Sequence, residues 1–162
     1  MAQHVKITLE VDTDKLFINK GRPSRNQVVT ACKLSDDNGG KAATLGCLLF
    51  FIPAKRVKSF TTNIGPNSVI QWVGISKNSN DAVSIDSIVY RYSRHSTNFF
   101  DTIVLQPSAG AGKIVKEEVR AGKSLGQYEY FINFKVEHLG KWHDFQIDPR
   151  LKMHAYVDAG QG

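Results

Sequence analysis

Strict alternation of apolar and polar residues, repeated in several separate segments, constrains this chain more than any other feature. From His4 to Val11, Val5, Ile7, Leu9 and Val11 point one way while His4, Lys6, Thr8 and Glu10 point the other. Gln127 to Val136 repeats the pattern with Tyr128, Tyr130, Ile132, Phe134 and Val136 on one face. A period of two is that of a half-buried strand. The runs at residues 68–75 and 82–92 read the same way, as do Gln27 to Lys33, Trp142 to Ile147 and Leu151 to Val157, the last two parted by Asp148-Pro149. Shorter runs fall at Lys58 to Thr62 and Phe99 to Leu105. Leu45 to Ile52 is apolar on both faces and reads as a central strand ended by Pro53.

Turn-forming clusters punctuate these runs. Asn19 to Asn26 is too polar to pack and reads as a loop, and Gly39-Gly40 closes the turn at residues 35–41. Ser108 to Lys123 leaves two readings open, a loop with a short helix or a strand around Lys116 to Arg120. The sum is an all-β chain: one domain over residues 1–162, an antiparallel β-sandwich of about nine to ten short strands. Its expected core includes Val5, Ile7, Leu9, Leu49, Phe51, Ile70, Trp72, Ile88, Tyr90, Tyr130, Ile132 and Phe134.

The longest apolar run, Cys47 to Ile52, is too short to cross a bilayer. MAQHVKITLEV lacks a basic region followed by a continuous apolar one, so the expected location is the cytoplasm. Cys32 and Cys47, the two cysteines, then read as buried thiols, with their pairing undetermined by sequence. The net charge of +6 is spread out, without a dense basic block. It suits a solvated surface better than a phosphate-binding one, although a basic nucleic-acid-binding module stands as the alternative.

Chemistry is sparse. AGAGK at residues 109–113 fails as a phosphate loop, because Pro107 replaces the first Gly and Ile114 the hydroxyl. The five histidines form no metal-ligand spacing; a Gly-containing hairpin brings His138 and His143 together, but no recognisable metal site surrounds them. No nucleophile elbow surrounds any serine. The chain therefore reads as non-enzymatic, without cofactor or metal, a site assembled from distant residues being the one catalytic alternative. Recognition residues are easier to place. The polar segment Ser76–Asp81 between two strands offers Asn78, Asn80 and Asp81 as donors and acceptors for hydroxyl groups. Trp142, beside Lys141 and His143 near a turn, is the aromatic ring best placed to stack on a sugar.

Three stretches, HVKITLEVDTDKL, IGPNSVIQWVGISKNSNDAVSIDSIVY, and YEYFINFKV followed by FQIDPRLKM, resemble the bacterial AidA/PixA inclusion-body family. The resemblance implies an abundant cytoplasmic β-sandwich without catalysis, either lectin-like or inclusion-forming, with the Ser76–Asp81 loop as a contact region. Open sheet edges add the expectation of a homodimer or larger homo-oligomer.

Overall fold

A computed structural model describes residues 3–38, 43–44, 60–107, 114–120 and 125–154. These residues form two sheets that share one core. The first sheet contains β1 (His4–Val11), β2 (Cys32–Asp36), β3 (Ala43–Thr44), β5 (Val69–Ser76) and β8 (Ile114–Arg120), in the order β3-β2-β1-β5-β8. The second is ordered β4-β11-β9-β6-β7 and holds β4 (Thr61–Ile64), β6 (Ala82–Tyr90), β7 (Val104–Leu105), β9 (Gly126–His138) and β11 (Arg150–Met153). A further strand, β10 (Lys141–Ile147), pairs with β9.

The alternating faces lie where the sequence puts them. Val5, Ile7, Leu9 and Val11 are buried, as are Tyr128, Tyr130, Ile132, Phe134 and Val136. Ile70, Trp72, Ile88 and Tyr90 complete the expected core within the described residues. Leu49, Phe51, Cys47, the predicted strand at residues 45–52 and the AGAGK segment lie outside the described residues. Residues 114–120 form a strand, which resolves the open reading in that region.

Two expectations are corrected. The sheets are mixed, not wholly antiparallel: β1 runs parallel to β5, with Ile7 opposite Trp72, and β11 runs parallel to β4. Alternation reports which face a residue occupies, but it carries no information on neighbouring-strand direction. The second correction falls at Gln27–Lys33, predicted as a strand. A helix, α2 (Arg25–Ala31), occupies most of it, and β2 starts only at Cys32. Ser24 accepts from the Gln27 N–H while Gln27 accepts from the Ser24 N–H, so both orphan donors are satisfied reciprocally and the helix starts there. A shorter helix, α1 (Thr13–Leu16), follows β1 and is capped by Asp12. No helix among the described residues is long and apolar enough to cross a membrane.

The chain crosses from one sheet to the other between β5 and β6, and Gly74 sits at the closest approach. A Cβ at this position would lie 2.9 Å from Val83 Cγ1 and 3.3 Å from the Val83 carbonyl oxygen. The Val83 side chain can move aside, but its carbonyl oxygen belongs to the β6 backbone, so an added methyl fits only if the two strands shift apart. Gly74→Ala is therefore expected to lower unfolding free energy by about 1–3 kcal/mol, the usual penalty of overpacking. Urea unfolding of the variant measures it; an unchanged midpoint would show that the sheets separate freely at this point.

Candidate functional site

The site is built on the hairpin of β9 and β10. Its turn, Leu139-Gly140, takes positive φ at both residues (50° and 73°), the backbone that a two-residue hairpin with the natural strand twist requires. Glycine adopts it freely, and Leu139 does so with its side chain exposed. The turn sets the register Trp142↔Glu137, Asp144↔Lys135 and Gln146↔Asn133. Because β10 alternates, His143, Phe145 and Ile147 lie on one face and Trp142, Asp144 and Gln146 on the other.

Phe17, just after α1, organises the first of these faces. Its ring stacks on His138 with centroids 4.4 Å apart and planes within 4°, tilts against His143 at 4.9 Å, and meets Phe145 edge-on at 6.1 Å. The His138–His143 pair predicted across the hairpin is thus brought together, around an aromatic ring. His138 Nδ1 lies 3.0 Å from Asp81 Oδ2, and the Thr13 hydroxyl donates to that same oxygen. Asp81 consequently fastens three elements: α1, the β5–β6 crossing and the hairpin. Burial opposes its ionisation, but the Thr13 hydroxyl and His138 outweigh burial and hold the carboxyl below its ordinary value of 3.8. Among the described residues, no group of three or more His, Cys, Asp or Glu side chains is arranged to hold a metal ion.

The remaining predicted recognition residues fall at the same end of the molecule. Asn78 donates to Asp14 and accepts from the Asn80 N–H, which shapes the crossing loop. Asn80 itself is exposed. Ala82, just past the loop, lies in one cross-strand row with Glu137 and Trp142. Adjacent strands are spaced by about 4.8 Å, which puts the loop's end about 10 Å from the Trp142 backbone. Sequence-distant residues are thereby gathered at one edge of one sheet.

Trp142 is 52% exposed, whereas Trp72 is wholly buried. Trp142 lines a groove of about 600 Å³ together with Gly21, Arg22, Pro23, His143, Asp144 and Phe145. Arg22 also lines two adjoining hollows, of about 560 and 430 Å³, so one groove continues along β10. Its polar furniture is orderly. Asn133 donates to Ser87 at 3.0 Å and accepts from Gln146 at 2.8 Å, and Lys135 lies 3.6 Å from Asp86 and 4.0 Å from Asp144. Farther along, Arg91 donates to Asp148 at 3.1 Å and stands over the Phe131 ring at 5.7 Å. Such a groove offers one aromatic face and several hydrogen-bonding groups at fixed spacing. Sequence reasoning singled out Trp142 but missed Arg22, Arg25 and Arg91. They come from separate segments, and the one local signal was the Ser24-x-x-Gln27 cap, which turns the loop before it toward β10.

No protein-family model matches the chain, and no curated protein matches it. Among solved structures it is similar to an inclusion body protein (PixA) from Burkholderia cenocepacia J2315, at 14% identity over 96% of each chain and with a TM-score of 0.45. The site is therefore read from this chain's own geometry.

The Asp81 tie has a pH signature. A carboxyl whose folded value is depressed releases its proton more readily when folded, so the unfolded chain binds more protons in acid. The stabilisation is complete above the ordinary aspartate value and is lost as pH falls through the lowered one. Asp81→Asn is expected to be less stable than the wild type at neutral pH and to lose less stability on acidification. Urea unfolding across the acid range checks this; parallel curves for the two proteins would contradict it.

Proposed function

We propose that this chain is a non-enzymatic binding protein of two-sheet sandwich architecture, which holds a hydroxyl-rich ligand of the carbohydrate class in the groove along β10. The observation that carries the reading is the half-exposed Trp142, which lines a groove together with the polar side chains of Arg22, His143 and Asp144. Exposing an indole to water forgoes the burial that the Trp72 ring obtains, roughly 25 cal/mol for each Å² left in water. A ligand with an apolar face recovers that contribution, as the C–H face of a pyranose does. Asp144 and Arg22 then meet its hydroxyls, one as acceptor and the other as donor. Asn78 and Asn80, at the same end, extend the contact to a second sugar unit, with Asn80 the more available, whereas the Asp81 carboxylate is taken up by Thr13 and His138.

The reading is supported by what the titratable groups at this end already do. His138 is engaged with Asp81 and stacked on Phe17, and Lys135 is shared between two aspartates. These are structural duties and leave little for acid–base chemistry. A second reading, self-association, has its own observation: among the described residues β10 pairs with β9 alone, leaving its other edge open to a strand of another copy.

The two tryptophans give the test a clean readout. With Trp72 at 0% exposure, a collisional quencher such as iodide reaches Trp142 alone. A glycan bound in the groove should protect Trp142 from iodide, and Trp142→Ala should weaken binding at least about tenfold, 1.4 kcal/mol. Screening a glycan array and following its binders by quenching supplies the data. An array without binders, or binders indifferent to Trp142→Ala, would sink the proposal. Sedimentation equilibrium over a range of concentrations reads the second: a mass rising above 18.0 kDa is expected, and a constant monomer mass would exclude self-association in that range.

A further inference from the structure

We infer that the groove ends in an oxyanion subsite, formed by Arg22, Arg25 and Arg91, and that the ligand carries a carboxylate or phosphate group there. The inference rests on the groove reading above and narrows its ligand from sugars in general to acidic ones. The three guanidinium groups line a single hollow of about 560 Å³, against two carboxylates, Asp144 and Asp148. One of those carboxylates, Asp148, is spoken for. Asp148 is shared by two of the arginines, at 3.1 Å from Arg91 and 3.9 Å from Arg25. Asp144 is 81% exposed and no nearer than 4.0 Å to Lys135, so it stays available as an acceptor for the ligand's hydroxyls. One carboxylate between two guanidiniums leaves an excess of positive charge and of N–H donors facing the hollow, since each guanidinium carries five donors in a rigid fork.

Geometry distinguishes this cluster from a merely basic surface. Arg91 is fixed from two sides, by Asp148 and by the face of Phe131 at 5.7 Å. Arg25 is held at the start of α2 beyond the Ser24–Gln27 cap. Arg22 lines both this hollow and the Trp142 groove. A ligand stacked on Trp142 therefore has Arg22 alongside it and the other two arginines farther down the same groove. A guanidinium binds a carboxylate or a phosphate with two parallel hydrogen bonds. A uronic acid or a sugar phosphate has that chemistry; a neutral glycan leaves the donors to water.

The test uses the full chain, labelled at arginine Nε, with four probes: inorganic phosphate, glucuronate, glucose, and sodium chloride at matched ionic strength. The Arg22, Arg25 and Arg91 Nε–H resonances should move in a saturable way with phosphate, glucuronate or both, and which of the two moves them identifies the oxyanion. Chloride should not reproduce the shifts. Whichever oxyanion moves them should bind about tenfold more tightly than glucose, the usual advantage of a hydrogen bond to a charged group. The Arg22→Ala, Arg25→Ala double variant, altered only at exposed positions, should bring that oxyanion down to the affinity of glucose. Shifts equalled by chloride, neither oxyanion binding more tightly than glucose, or an unaffected double variant would each overturn the inference. Iodide quenching of Trp142 in the same titrations separates the two ideas. Arginine shifts without Trp142 protection keep the oxyanion subsite and remove the sugar groove. Trp142 protection by glucose equal to that by glucuronate does the reverse.

Discussion

The contact between Trp72 and Tyr130 joins the two sheets, and the rest of the structure is arranged around it. Trp72 belongs to β5 and Tyr130 to β9, both side chains are wholly buried, and the indole N–H donates to the Tyr130 hydroxyl at 3.2 Å. The rings also meet edge-on, centroids 5.8 Å apart, the orientation that the aromatic quadrupole favours. Two apolar faces alone would tolerate sliding. A buried donor that has one acceptor does not, because breaking the bond leaves both groups without water. Tyr130 then stacks on Tyr128, and Tyr128 packs against Tyr90, Phe99 and Phe100, so the fixed point spreads through the core.

That fixed point determines where the groove lies. β9 is the longest described strand, thirteen residues. Its Tyr130 end is anchored in the core and its His138 end projects to the edge, where β10 turns back along it. Asp81 and Phe17 fasten this outer end to the first sheet through α1 and the β5–β6 crossing. A hairpin held at both ends is a rigid platform, and rigid platforms suit binding residues because little ordering is lost when the ligand arrives.

Much of this was legible in the sequence, for identifiable reasons. Alternation from His4 to Val11 and from Gln127 to Val136 identifies buried faces directly, because burial follows the pleat. The parallel pairing of β1 with β5 was not legible, since the same alternation serves either direction. Helix α2 was misread because QVVTACK carries three consecutive β-branched residues, Val28, Val29 and Thr30, and the Ser24–Gln27 cap overrode their strand preference. Trp142 stood out as an aromatic beside a turn, whereas its partners Arg22, Arg25 and Arg91 look like scattered surface charges until the fold gathers them. Asp81 was read as a loop group open to hydroxyls; only the structure reveals that Thr13 and His138 already engage its carboxylate.

A double-mutant cycle on Trp72 and Tyr130 tests the central claim most directly. Trp72→Phe and Tyr130→Phe each remove one partner of the buried hydrogen bond, and the double variant removes both. If this contact fixes the two sheets, the single changes should not add: the coupling energy from urea unfolding should be at least about 1 kcal/mol, because each single change strands a buried partner that the double change removes. Effects that add to within about 0.3–0.5 kcal/mol would mean that the two residues act independently, and the account of the sheets as joined at this point would be wrong.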